Sequence, residues 1–175
     1  MKYLFLAIIF MIPIFAESLT VEIEELPTKD IQSPIETKPT VLMIDDYEDG
    51  DLTKFREWWT FDKVMIKTKQ IEEKKIFLGK TSLLVNGSSN NWYAGGIGVY
   101  LDEDAHYFKT LKLVIFSPKL NSGSIRIELY DDDNNNKIVD IDEEKQIPSK
   151  DDLFIFDLNL IWKGWKVVSI PLSDF

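Results

Sequence analysis

The feature that most limits the fold of this chain is a series of short, strand-like runs between residue 81 and the last residue. Each run is rich in Val, Ile, Leu and aromatic residues, and Gly, Asn, Asp, Ser or Pro separates it from the next. No stretch of a dozen residues keeps an apolar period of 3.6; "KVMIKTKQIEEKKIF" comes nearest and also suits strand and loop. Short strands without intervening helices predict an all-β protein with an antiparallel β-sandwich fold. The runs are "SLLVNG", "GGIGVYL", "LKLVIFS", "SIRIELY", "LFIFDLNL" and "KVVSIPL".

Alternation within these runs predicts which side chains face the core, because successive residues of a strand point to opposite faces. The predicted inward set is Ile125, Ile127, Leu129, Leu113 and Ile115, together with Tyr93, Ile97, Val99 and Leu101. The predicted outward set is Arg126, Glu128 and Tyr130, together with Trp92, Ala94, Gly96, Gly98 and Tyr100.

The outward set of "WYAGGIGVYL" places an aromatic residue at each end of a floor of very small residues. Such a floor suits a sugar ring, which stacks on aromatic faces. The alternative is that the glycines allow a bulge or close sheet packing and that Trp92 covers an edge.

Composition narrows the classes of partner. The chain has 175 residues, enough for one domain with a core, and a net charge of −10, which argues against nucleic acid and anionic lipid. It has no cysteine, which excludes disulfides, thiolate metal sites and a cysteine nucleophile.

The first residues have the pattern of a signal peptide. Lys2 precedes an apolar run from Tyr3 to Phe15, and Ala16 is a candidate cleavage point. The alternative is an N-terminal membrane anchor, for which the run is short. We therefore expect a signal peptide at 1–16, a proline-containing linker or N-terminal arm at 17–40 and a β-sandwich domain at 41–175. The mature protein would be secreted or periplasmic, with no membrane association after signal removal.

The order of several motifs resembles a known family. "MIDDYEDGD", "WWTFD", "SLLVNG", "WYAGGIGVYL", "LKLVIFS" and "WKGWKVVSIPLSDF" resemble the galactose-binding-like jelly rolls related to family 11 carbohydrate-binding modules and to the complex I intermediate-associated protein family. The resemblance covers 41–175 and implies a jelly roll that binds carbohydrate. Domains of this kind usually continue past "IPLSDF" with at least one more strand, so we expect either that the last strand is lacking or that another chain completes the sheet.

The same resemblance implies a structural calcium ion near the first strand. Glu48 and Asp49 lie in the oxygen-rich "DDYEDGD" segment with Asp46 and Asp51, and Asp174 is a further candidate ligand from the end of the chain. The family's sugar-contacting positions do not fall within the matched motifs, so none is transferred.

A second candidate calcium site lies in "YDDDNNNKIVDIDEE". Asp131, Asp133 and Asn135 stand at positions 1, 3 and 5 of a twelve-residue loop, Lys137 at position 7 offers a carbonyl, and Asp142 stands at position 12. This spacing resembles an EF-hand calcium loop without its helices. The alternative is a solvated hairpin loop, because Asp and Asn favour turns in any case.

These observations leave two classes of function. The single histidine, His106, has no recognisable nucleophile or metal partner, so we expect no enzyme. The first class is a noncatalytic carbohydrate-binding module that binds a β-glucan-like polysaccharide. The second is a calcium-stabilised structural or adhesive surface domain that contacts proteins. The candidate ligand-binding residues are Trp92, Tyr100, Arg126, Glu128 and Tyr130; if they line one surface the first class is favoured.

Overall fold

The computed structural model describes residues 4–11, 20–22, 41–71, 79–90, 92–103, 105–134, 136, 138–142, 144–145 and 147–175. Among these residues there are twelve β-strands, two short 3₁₀ helices and no α-helix. The strands are β1 (Leu4–Met11), β2 (Thr20–Glu22), β3 (Trp58–Asp62), β4 (Val64–Gln70), β5 (Thr81–Gly87), β6 (Gly95–Tyr100), β7 (Thr110–Ser117), β8 (Ser124–Asp131), β9 (Ile141–Asp142), β10 (Ile147–Pro148), β11 (Asp152–Asn159) and β12 (Gly164–Pro171). The 3₁₀ helices are Ala105–Tyr107 and Leu172–Asp174.

The strands form two packed layers. One layer is a five-stranded sheet in the order β11-β8-β1-β6-β3. The other contains the sheet β12-β7-β2 and the hairpin β4-β5, with β2 lying against β5. Every pairing is antiparallel, including the short ribbon of β9 and β10. The all-β antiparallel sandwich predicted from the sequence is therefore confirmed.

The core lies between the two layers and includes most of the inward residues that alternation predicts; Tyr93, predicted inward, is half-buried, and Ala94, predicted outward, is buried in the core. Ile127 of β8, Ile97 of β6 and Ile115 of β7 are fully buried. The other predicted core residues in these strands and at the end of β6 are also buried, namely Leu113, Ile125, Leu129, Val99 and Leu101. Because apolar burial is the main favourable term in folding, this interior stabilises the sandwich.

The N-terminal region differs from the simplest reading of the sequence. Leu4–Met11, the apolar run of the predicted signal peptide, forms the central strand of the five-stranded sheet, and Thr20–Glu22 of the predicted linker pairs with β7. The prediction of a signal peptide concerns processing of the chain and stays a prediction. In the part of the chain that the structure describes, no helix is long and apolar enough to cross a membrane.

Candidate functional site

The outward side of the five-stranded sheet, called here the outer face, brings most of the predicted ligand-binding residues onto one surface. The register pairs β3 with β6 and β8 with β11, and β1 connects the two halves. Aromatic side chains lie at the β3 edge, the glycines of β6 and Ala7 of β1 lie next to them, and polar side chains lie towards the β11 edge. The outer face includes Trp59, Phe61, Gly96, Gly98, Tyr100, Ala7, Arg126, Glu128, Tyr130, Ile155 and Asp157, and the register places Phe5 and Ile9 of β1 in the same rows.

Two aromatic rings of β3 lie across the glycines of β6. A Cβ atom added to Gly98 would stand 2.6 Å from Cη2 of Trp59, and one added to Gly96 would stand 2.6 Å from Cε1 of Phe61. No larger residue fits beneath these rings, which explains why β6 carries glycine at both positions. The ring centroids of Trp59 and Phe61 are 5.9 Å apart, and both side chains are half-buried. The alternative interpretation of the glycines, close packing, is the one that the structure supports.

The β8 and β11 side of the outer face carries a bidentate ion pair. Arg126 donates from Nε to Asp157 Oδ1 at 2.8 Å and from Nη2 to Asp157 Oδ2 at 2.9 Å. The Arg126 guanidinium lowers the pKa of the Asp157 carboxyl, and the same contact raises the pKa of Arg126. The pair is partly solvent-exposed, so its groups are held in a fixed geometry while they stay accessible to a ligand.

Glu128 lies beside this ion pair and is almost fully buried, at 7% exposure. The Tyr130 hydroxyl donates to Glu128 Oε2 at 2.6 Å. Burial, followed by this hydrogen bond to the carboxylate, raises the pKa of Tyr130 well above its ordinary value. The phenol is therefore protonated at any physiological pH, and it fixes the orientation of the Glu128 carboxylate.

Tyr100 and Tyr130 stand in the same row of the sheet. Each lies opposite Phe5 in the register, on β6 and β8 respectively, so their backbones are about 10 Å apart, twice the spacing between strands. Tyr100 is 54% exposed. Arg56 holds the end of β6 by donating from Nη1 to the carbonyl oxygens of Tyr100 and Leu101.

Trp92 lies outside β6, which begins only at Gly95. It is 70% exposed, and its ring centroid is 4.7 Å from that of Tyr93. The Tyr93 hydroxyl is hydrogen-bonded to Asp62, which raises the pKa of that phenol and places the loop beside the end of β3. The prediction that Trp92 shares a strand with Tyr100 is therefore wrong, because the strand is shorter than the apolar pattern.

The sequence did not indicate Trp59 and Phe61 as site residues. In "WWTFD" both faces of the strand carry bulky residues, so alternation alone does not separate the buried Trp58 from the outward Trp59. A usable signal was present: two aromatic residues two positions apart match two glycines two positions apart on the neighbouring strand.

The acidic loop after β8 is held by hydrogen bonds that centre on Asp140, which the calcium-loop spacing did not include. Asn134 and Asn136 donate from Nδ2 to Asp140 Oδ2 at 2.7 and 3.0 Å, and Lys150 Nζ lies 3.7 Å from the same oxygen. Asp142 Oδ1 accepts from the backbone N–H groups of residues 144 and 145, which lowers the pKa of Asp142. Of the predicted ligands, Asp131 is buried at the end of β8, Asp133 lies in a turn, and Asn135 and Lys137 lie outside the described residues.

The acidic segment before β3 uses its carboxylates as turn acceptors. Asp49 Oδ1 accepts from the backbone N–H of Asp51, and Glu48 Oε1 accepts from the N–H groups of Lys80 and Thr81 at 2.6 and 2.8 Å. Asp174 lies in the last 3₁₀ helix, where Ser173 Oγ contacts it at 3.4 Å.

Within the ranges described, no three acidic or histidine side chains come close enough together to hold a metal ion. The carboxylates of the two acidic segments instead accept hydrogen bonds from nearby backbone N–H groups. The calcium site therefore stays a prediction from the sequence, and no step of the proposed function depends on it.

Comparisons with protein-family models, with curated proteins and with solved structures found no match to this chain. The resemblance to galactose-binding-like jelly rolls therefore rests on the motifs of the sequence. His106 lies in the first 3₁₀ helix.

Proposed function

We propose that the outer face binds a β-glucan-like polysaccharide without cleaving it. The observation that carries the proposal is the pair of Trp59 and Phe61 rings, which lie over the glycines of β6 on the same face of the sheet as the hydrogen-bonding groups of β8 and β11. Aromatic rings stack on the apolar faces of sugars, and fixed polar groups bind hydroxyls and set the orientation of the chain.

The polar groups of the outer face suit binding better than proton transfer. Asp157 has a lowered pKa because of Arg126, whereas a general acid in glycoside hydrolysis needs a raised one. The Tyr130 hydroxyl already occupies one oxygen of Glu128. Both carboxylates are thus arranged to accept hydrogen bonds from sugar hydroxyls.

Affinity electrophoresis tests this function directly. The protein is run through gels that contain mixed-linkage β-glucan, xylan or mannan, and retardation by the glucan is expected. Because the outer face is open, we expect a dissociation constant on the order of micromolar to millimolar. Absence of retardation in all three gels would rule the proposal out.

A matched pair of tryptophan variants locates the binding surface. Trp59→Ala removes a half-buried ring from the outer face, and Trp165→Ala removes a half-buried ring that packs at 5.3 Å on Phe116 of the opposite sheet. Retardation should be lost in the first variant and kept in the second. Equal loss in both variants would show that the effect comes from general destabilisation.

The structural or adhesive domain is the second candidate function. The observation that favours it is the central position of β1 in the five-stranded sheet. This strand lies within the predicted signal peptide, so cleavage would leave a place in the sheet for a strand of another protein. A domain that retains polysaccharide binding in its exported form supports the first candidate; one that binds only polypeptide supports the second.

A further inference from the structure

Strand β1 occupies a slot between β6 and β8, with pairing along both of its sides. Leu4–Met11 lies antiparallel to the whole of β8, and residues 5–10 lie antiparallel to the whole of β6. Leu6 and Ile8 are each 1% exposed. Leu6 lies in register with Val99 and Leu129, so its side chain completes one row of the core.

Removal of β1 would open the sheet at its centre. In the described part of the sheet, β6 and β8 are both neighbours of β1 and pair with β3 and β11 on their other sides. Their backbones would stand about 10 Å apart, twice the usual strand spacing. Two rows of backbone N–H and C=O groups would lose their partners, and the core would lose Leu6 and Ile8.

The residues of β1 are also those that the sequence assigns to a signal peptide. The predicted cut after Ala16 lies beyond Met11, so cleavage removes the whole strand. We infer that the gap between β6 and β8 is a strand-acceptor site. Leu4–Met11 fills it in the uncut chain, and an extended strand of a partner polypeptide fills it after the leader is cut. This inference rests on the predicted cleavage and is independent of polysaccharide binding.

The site defines the chemistry of the partner strand. About eight residues must run antiparallel to both β6 and β8, with large apolar side chains at the positions of Leu6 and Ile8. The residue between them must be small. Ala7 is 3% exposed, and it lies in register with Gly98, which the Trp59 ring covers, and with the buried Glu128.

Among the residues that the structure describes, a second copy of the cut chain does not offer such a strand. It has lost β1 in the same way, and its other long strands already pair within the two layers. The occupant is therefore a strand of a different polypeptide, recognised through backbone hydrogen bonds and alternate apolar side chains, as in other cases of strand addition.

The test uses the full chain with a specific protease site placed between Ala16 and Glu17. The folded protein is cut and then incubated with a labelled peptide that carries the sequence of residues 4–11 between solubilising lysines. We expect the peptide to replace the cut fragment and to restore hydrogen-exchange protection of the β6 and β8 amides. A peptide with Leu6→Asp and Ile8→Asp should bind at least about tenfold more weakly, and one with Ala7→Phe should also bind more weakly.

Four results would overturn the inference. The first is loss of the cut fragment with unchanged protection of the β6 and β8 amides, which would show that no slot opened. The second is loss of protection that neither the fragment nor any strand peptide restores. The third is a stable dimer of the cut chain with protected β6 and β8 amides, which would show that a second copy fills the site. Equal binding of the Leu6→Asp, Ile8→Asp peptide would also contradict it.

Discussion

At the scale of single residues, Asp45 connects the start of the domain to β3. Its Oδ1 accepts from the backbone N–H of Tyr47 at 2.8 Å, and its Oδ2 accepts from Trp58 Nε1 at 2.7 Å. The side chain is 4% exposed, and this burial raises its pKa although both hydrogen bonds oppose the shift. The Tyr47 and Trp58 rings pack at 5.7 Å around it.

Asp45→Asn should lower the free energy of unfolding by about 1–3 kcal/mol. An asparagine that keeps the bond to Tyr47 N turns its amide N–H₂ towards the indole N–H of Trp58, and a buried donor then lacks an acceptor. Urea unfolding measures the change. Asp46→Asn is the control, because Asp46 is exposed and its Oδ1 accepts a hydrogen bond from the Glu48 backbone N–H, which an amide oxygen accepts equally well. Equal destabilisation in both variants would contradict this account of Asp45.

The ion pair of Asp157 with Arg126 should stabilise the folded protein by a small amount that depends on pH. The folded-state pKa of Asp157 lies below the unfolded value, so the ion pair with Arg126 contributes fully above the unfolded pKa, and this contribution is lost as pH falls through the folded value. At pH 7 the free energy of unfolding of the wild type should exceed that of Asp157→Asn by less than about 1 kcal/mol, because the ion pair is partly exposed. The difference should vanish well below pH 4. A difference that is constant from pH 7 to pH 2 would exclude the ion pair as its cause.

The sequence could not separate these acidic residues by role. "IDDYEDGD" offers several carboxylates within a few positions, and only the folded chain shows that Asp45 points to Trp58 while Glu48 reaches β5. The outward residues of β8 were predictable, because "SIRIELY" alternates cleanly between apolar and polar side chains.

At the scale of elements, β8 is the strand whose two faces serve two purposes. Its inward residues pack in the core, and its outward residues carry the polar groups of the outer face. Alternation predicts both faces because one of them is buried against apolar side chains. It does not predict β1, since the run from Tyr3 to Phe15 is apolar throughout and has no period of two.

Ile127→Ala should lower the free energy of unfolding by about 2–5 kcal/mol, because it removes a fully buried side chain and leaves a cavity. Denaturant unfolding provides the measurement. Ile155→Ala on β11 is the control, since Ile155 is 38% exposed and lies opposite Glu128 on the outer face. A loss below about 1 kcal/mol for Ile127→Ala would contradict the inward orientation of β8.

At the scale of the whole molecule, the net charge of −10 raises the question of what balances the acidic segments. In the described residues the carboxylates accept hydrogen bonds from backbone N–H groups, and several lie near lysines, as in the pairs of Lys54 with Asp49 and Lys145 with Asp142. The sequence pattern predicts that a bound calcium ion also balances part of this negative charge.

Melting in millimolar calcium and in chelator tests this prediction. A bound ion at a hundredfold excess over its dissociation constant stabilises the folded state by about 2.7 kcal/mol, which would appear as a higher melting temperature. If calcium raises the melting temperature by binding the loop of residues 131–142, Asp133→Ala should abolish that rise. If it binds at Glu48 and Asp49, the same substitution should leave the rise unchanged. Identical melting in both solutions would show that the acidic segments are solvated turns.

The central claim is that the outer face of the five-stranded sheet binds the polysaccharide, and backbone chemical shifts measured during an oligosaccharide titration test it most directly. A soluble β-glucan oligosaccharide should shift the amide signals of β3, β6 and β8 around Trp59, Gly98 and Glu128. Signals of β7 and β12 on the opposite layer should stay unchanged. Shifts that cluster around Phe116 and Trp165 instead, or no shifts at saturating oligosaccharide, would contradict the claim.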